Sequence, residues 1–172
     1  MVLCDDNCLR QVLRYIGVQD QNIYTDDASK VPVISGFGNH KSVKGFGTII
    51  IACARDSKCP LLGKSVEDEA FVRQWIEYAT CYANYCDSTQ TAHRVLKELN
   101  SILVSRAYLV GNKLSLADVV LYYVLYTAVT GLSYQDKERY LHVSRWFDNL
   151  QQDSSLRRDN NIIHFSRIPI YA

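Results

Sequence analysis

The stretch that most restricts how this chain can fold runs from Leu109 to Asp118, Leu-Val-Gly-Asn-Lys-Leu-Ser-Leu-Ala-Asp, and continues into the apolar run Val119 to Leu125. Gly111 and Asn112 tolerate turn dihedrals. Ser115 can accept a hydrogen bond from a free backbone N–H, and Asp118 can reach back to the N–H of Ser115, the two halves of a capping box that Leu114 and Val119 flank as a hydrophobic staple. Losing such a cap typically costs about 1 kcal/mol. The helix behind it, Val-Val-Leu-Tyr-Tyr-Val-Leu, has no polar face. A helix that is apolar all round must pass through the middle of a core.

Around that helix, 172 residues suffice for one good core or two small ones sharing an interface. A net charge of +1 with the signs intermixed supplies no bulk field for nucleic acid. No apolar run approaches the length that spans a bilayer, and Asp5 and Asp6 stand near the start instead of a basic flank, so a soluble intracellular protein is expected. The six cysteines, Cys4, Cys8, Cys53, Cys59, Cys81 and Cys86, match neither a C-x-x-C pair nor a zinc ligand set. They read as reduced, mostly buried thiols.

In chain order, Leu9, Val12, Leu13 and Ile16 share one helical face between Asp6 and Val18, with Gly17 as the stop. Ile23-Tyr24-Thr25 and Val31-Pro32-Val33-Ile34 are short strands, the second bounded by a turn at Gly36 to Asn39. A proline heading a strand need not donate to the ladder, and either peptide isomer suits it. Gly47 to Arg55 reads as a helix, although Ile49-Ile50-Ile51 would equally suit a buried strand. Three units follow: residues 1–57, a linker 58–64, and an almost wholly helical 65–172. Ser65 with Asp68 opens a helix whose apolar stripe is Phe71, Trp75, Tyr78, Tyr82 and Cys86. Val95, Leu96, Leu99, Ile102 and Leu103 mark the next. Ser133 with Asp136 forms a third box, before a last long helix built on Leu141, Val143, Trp146, Phe147 and Leu150. The polar tail ends in Ile162-Ile163-His164-Phe165, placed to pack back onto the body.

A mixed α/β piece joined to a helical piece, with a proline-led strand, Trp75-Ile76-Glu77-Tyr78, Leu114-Ser115-Leu116-Ala117-Asp118 and Trp146-Phe147 in that order, resembles the glutathione S-transferase fold. Leu61-Leu62-Gly63, Gln74 to Tyr78, Leu99-Asn100-Ser101, Leu116 to Tyr123 and Tyr140 to Phe147 resemble, more narrowly, the elongation factor 1 epsilon family, the third of the multifunctional proteins of the aminoacyl-tRNA synthetase complex. The resemblance implies an α+β fold with a truncated thioredoxin-like subdomain followed by an all-α bundle. Enzymes of that fold carry a Tyr, Ser or Cys on a first strand and an acidic-Ser pair at the helix after the hairpin. Here the chain is expected to start at the first helix, and Gly45-Phe46 falls where the pair would be. No transferase activity, cofactor or metal is therefore expected. The contrary candidates are Cys4 and Cys8, thiols at a helix N-terminus that could serve a glutathione-dependent transferase or thiol oxidoreductase; Asp5 and Asp6 oppose their ionisation.

His40, His93, His142 and His164 lie far apart with no metal-ligand spacing, and Arg157-Arg158 is a basic pair followed at once by Asp159. The frequent tyrosines fit helix packing before base stacking, so neither a membrane nor a nucleic acid is an expected partner. Arg145 has two readings, a local salt bridge with Asp148 or Glu138, or an interface centre, where arginines are enriched. Carried over by position, the resemblance implies two docking surfaces. Arg145 and Ala107 would lie on one, Arg73 and Glu77 on the other, which is built by the helices near Ile49 to Arg55 and Ser65 to Cys86. It further implies methionyl-tRNA synthetase, glutamyl-prolyl-tRNA synthetase and other scaffold proteins of the complex as partners, a cytoplasmic location, and a second, nuclear role after DNA damage.

Overall fold

Helix α5 (Leu116–Thr130) takes the position its sequence demands, with every residue from Leu116 to Leu125 buried. It belongs to a computed structural model that describes residues 3–18, 22–26, 29–36 and 42–165. Three helices pack directly on it: α1 (Asp6–Tyr15), α3 (Val66–Cys81) and α7 (Leu141–Gln151). Among the described residues no helix is long and apolar enough to cross a membrane.

Ahead of the helical part, Asp5 caps α1 by accepting from the Cys8 N–H at 2.8 Å, and Gly17 ends the segment at φ +82°. Strands β1 (Asn22–Thr25), β2 (Pro32–Ser35) and β3 (Ser42–Lys44) form an antiparallel sheet in that order, with Ile23 opposite Ile34 and Ile34 opposite Val43. Pro32 heads β2 after a trans bond, and β3 is a strand the sequence did not signal, being three residues with two of them polar and exposed. Gly36 is turned at φ +72°; the rest of the predicted turn, Phe37 to Asn39, lies outside the described residues. The triple isoleucine is helical, within α2 (Phe46–Asp56). It is apolar on several sides because α2 is covered by α1 and the sheet on one hand and by α3 on the other. Gly47 permits that close approach: a Cβ there would stand 2.9 Å from Cγ2 of Ile76.

A short 3-10 turn, Pro60–Leu62, leads into α3, capped by Ser65, which accepts from the Asp68 N–H at 3.0 Å. The aromatic stripe read from sequence lies on a flank of the core face and not at its centre. The buried side is Val72, Ile76 and Ala79, while Phe71 is 54% and Tyr82 48% exposed, and Trp75 and Tyr78 are half-buried. Tyr82 and Cys86 already lie beyond the helix, around a second 3-10 turn, Ala83–Tyr85. Helix α4 (Thr89–Ile102) buries Ala92, Val95, Leu96 and Leu99. Leu103 follows them into the core and Ile102 does not. The last long helix is broken in two. Short α6 (Tyr134–Arg139) is capped by Ser133, and after Tyr140 the chain restarts as α7. Val143, Trp146, Phe147 and Leu150 of α7 are buried as expected, but Leu141 is 61% exposed. After one further turn, α8 (Ser154–Arg157), Ile163 returns to the core, its N–H donating to Gln151 Oε1 and its carbonyl accepting from Gln151 Nε2, both at 2.9 Å.

Candidate docking surfaces

Between the head of β2 and the start of α2 lies a small cavity of about 310 Å³ beside Val31, Pro32, Gly45, Phe46, Thr80 and Asn84. Gly45 caps α2 at φ +99° without a side-chain bond, and Phe46 is buried, so these two positions offer neither carboxylate nor hydroxyl; the polar groups on the cavity wall are Lys30, Thr48, Glu77, Thr80 and Asn84. Cys4 and Cys8 are buried as well. The Cys4 N–H donates to Asn84 Oδ1 at 2.8 Å, and burial, reinforced by Asp5, pushes its thiol up to about 12. Burial likewise raises Cys8. Nucleophilic cysteines are thiolates in electropositive, partly exposed settings; these two are neither. Cys81 is the exposed thiol among the six.

Elsewhere, two faces carry connected polar side chains. On the first, Arg55 of α2 and Arg73 of α3 both bind Glu69 Oε1, at 2.7 and 2.9 Å through their Nη2 atoms, and hold the Glu69 carboxyl below the ordinary carboxylate range. Arg73 and Glu77 are exposed here, beside a groove of about 370 Å³ lined by Gly47, Thr48, Ile51 and Ala52 of α2. Helical geometry places this polar edge and the aromatic stripe on opposite flanks of the buried face of α3. The stripe has its own polar partners, with Tyr78 donating to Glu98 at 2.5 Å and Arg94 lying over the Tyr82 ring at 5.9 Å.

The second face is built by α7 and the corner after α4. Arg145 forms neither of the ion pairs considered from sequence. Its Nη2 donates to the Leu103 carbonyl at 2.8 Å and to the Arg106 carbonyl at 3.1 Å, which places it directly against the corner that exposes Ala107. Asn149 adds a third tie, donating to the Tyr108 hydroxyl at 3.1 Å. Sequence reading missed Asn100, whose Oδ1 accepts from the N–H groups of His142 at 2.9 Å and Val143 at 3.3 Å. Next to Arg145 a shallow groove of about 550 Å³ runs between α7 and the returning tail, edged by Leu141, Asp148, Ile162 and Phe165.

Behind this face stands the capping box. Asp118 is fully buried and takes four donors: the Leu109 N–H and Trp146 Nε1 on Oδ1, both at 2.9 Å, and the Ser115 N–H at 3.0 Å and hydroxyl at 2.6 Å on Oδ2. A residue read as a local cap therefore also ties α5 to α7 and to the Ala107 corner. Of the histidines, His93 is bonded through Nδ1 to the Tyr140 hydroxyl at 2.9 Å, and among the described residues no group of His, Cys, Asp or Glu could hold a metal. Arg157 of the basic pair turns inward to the Gln151 carbonyl at 2.9 Å.

Residues 68–154 match the family model described as "Nuclear-export cofactor Arc1p". Eukaryotic translation elongation factor 1 epsilon-1 of Cricetulus griseus is 34% identical over 166 residues, 95% of this chain and 95% of that protein. The chain belongs to the elongation factor 1 epsilon family. The human member of the family is also 34% identical, over 91% of each chain. The bifunctional glutamate/proline–tRNA ligase of Mus musculus shares 31% identity over 98 residues, which are 56% of this chain and 6% of that enzyme. As in that family resemblance, the fold is that of glutathione S-transferases. Ure2p5 from Phanerochaete chrysosporium superposes with TM-score 0.71 at 17% identity, covering 87% of this chain and 84% of its own. A Gtt2-class transferase of Vibrio parahaemolyticus gives 0.70 at 17%, covering 92% and 93%.

Proposed function

We propose that this elongation factor 1 epsilon family member is a noncatalytic adaptor of the multi-aminoacyl-tRNA synthetase complex. It docks the transferase-like domains of methionyl- and glutamyl-prolyl-tRNA synthetases on its two faces, one at Arg73 and Glu77 and the other at Arg145 and Ala107. The observation that carries this reading is the contrast between an emptied cleft and two organised exteriors. Gly45 and Phe46 bring no polar side chain to the start of α2 and the nearby thiols Cys4 and Cys8 are buried, whereas exposed arginines stand pinned on each of the two faces. The likeness of this chain to a 98-residue part of a glutamate/proline–tRNA ligase supports partners of the same fold. Docking of standard size buries roughly 800 Å² on each partner. Placement among cytosolic synthetases, with other scaffold proteins of the complex as neighbours and a second role in the nucleus, is part of the same proposal and is checked by fractionation before and after DNA damage.

The decisive experiment measures binding of the two purified synthetase domains to Arg145→Ala and Arg73→Ala variants. Each variant should weaken one partner and spare the other; equal loss of both partners overturns the two-face reading. Turnover of a glutathione conjugate by the purified chain, or its retention on immobilised glutathione, overturns the noncatalytic part.

A further inference from the structure

Helix α7 starts without help from its own neighbourhood. Tyr140 stands at its N-cap and its side chain caps nothing, although the first N–H groups of any helix need acceptors from outside its own ladder. Two of these, His142 and Val143, are bonded by Asn100, which lies on α4 more than forty residues earlier and is half-buried. The last carbonyls of α4 have the mirror-image need. The carbonyl of Leu103, the C-cap residue of α4, is served by Nη2 of Arg145 on α7 as well as by the Arg106 N–H, and the same Nη2 reaches the Arg106 carbonyl on the corner beyond the helix; a cation at a helix C-terminus also meets the negative end of the helix dipole.

We propose that Asn100 and Arg145 form a reciprocal clasp, each capping the helix that carries the other, and that Asn100 is thereby a positioning residue for the partner docked at the Arg145 face. The clasp joins the end of α4 to the start of α7 within one turn of each helix. It fixes together the rotation of α7, which turns Leu141 and Arg145 outward, and the path of the corner that presents Ala107 one residue beyond Arg106. His93, seven residues before Asn100 and so on the same side of α4, anchors the break between α6 and α7 through Tyr140. Among the described residues, Nε and Nη1 of Arg145 donate to no acceptor and the residue is exposed, so one nitrogen shapes the corner and the other two stay available. Given the adaptor reading above, the second face is then a preformed surface, and binding to it incurs little ordering cost.

The test compares Asn100→Ala with Asn100→Asp in the full chain. Aspartate keeps an acceptor toward the His142 and Val143 N–H groups and adds a charge favoured at a helix N-terminus. Amide exchange at His142 and Val143 in the free chain should quicken in Asn100→Ala and return toward the parent rate in Asn100→Asp. Affinity for the synthetase domain that Arg145→Ala weakens should fall about fivefold in Asn100→Ala, the factor that losing a typical helix cap corresponds to. It should recover in Asn100→Asp, with the other partner unchanged in both variants. Unaltered exchange in Asn100→Ala refutes the clasp. Quickened exchange with unaltered affinity, or equal loss of both partners, refutes the positioning role. A parent chain that binds neither domain overturns the adaptor reading, and with it the positioning role, before any variant is made, while the exchange data still decide the clasp.

Discussion

Replacing Asp118 with alanine removes the acceptor that closes the capping box, holds the Ala107 corner and receives the Trp146 indole. Three buried N–H donors, those of Leu109, Ser115 and Trp146, are left without it, and the Ser115 hydroxyl loses its partner as well. Each orphaned buried donor costs about 1–3 kcal/mol. Removal of a desolvated carboxylate returns part of this, because burial raises the Asp118 carboxyl above its ordinary value against the pull of the four donors. The net loss should be about 3–5 kcal/mol, a large share of the 5–15 kcal/mol that holds a typical domain together. For a chain of this length that lowers Tm by roughly 10 °C. Asp118→Asn is the internal control: its Oδ1 still serves Leu109 and Trp146, while an amide NH₂ replaces the acceptor for the Ser115 N–H, so about 2 kcal/mol should be lost. Urea unfolding followed by the fluorescence of Trp75 and Trp146 gives both numbers, with an unchanged m-value expected. An alanine variant within 1 kcal/mol of the parent, or an asparagine variant worse than alanine, refutes the view that this carboxylate joins α5, α7 and the corner.

At neutral pH a thiol reagent should modify exposed Cys81 first and leave Cys4, Cys8, Cys53 and Cys86 protected until the chain unfolds. Cys4, Cys53 and Cys86 are pushed up to about 12 by burial, from an ordinary 9.0. The folded chain therefore keeps protons that the unfolded chain releases, so stability from these groups is intact below pH 9 and lost as pH rises from there toward 12, a decline that chemical denaturation across that range would show. Gln151→Leu should release the tail by removing both bonds to Ile163, and limited proteolysis near Arg157 and Arg158 should quicken while the body stays folded. Tyr123→Phe deletes a bond of 2.6 Å from the hydroxyl to the Leu156 carbonyl and should cost about 1 kcal/mol in urea unfolding.

The sequence was most legible where the signals are local. The Ser115–Asp118 box, the helical period of α1 and the proline at the head of β2 all act over a few residues, and each stands where its spacing puts it. Helix α3 misled because it carries two overlapping stripes at three-to-four spacing. The aromatic one is larger, but the smaller set Val72, Ile76 and Ala79 is what fits against α2 and α5 at close range. Strand β3 has too few apolar residues to announce itself; its pairing with β2 supplies what its composition lacks. At the docking surfaces, charge and placement pointed to Arg145 but not to what it touches. Asn100 stands in a stretch that carries the family resemblance, but its capping role gave no sign, since a cap delivered from another helix has no characteristic distance along the chain.

Gly47 carries a mechanical consequence. By letting α2 sink onto Ile76, it welds the sheet-bearing half to the helical half along the very seam where the first face is made. A load applied there is shared by both halves, so the two faces keep a fixed spacing and orientation instead of swinging about a joint. Enlarging that one residue to alanine would press on Ile76 and loosen the seam, and with it the geometry between the two faces.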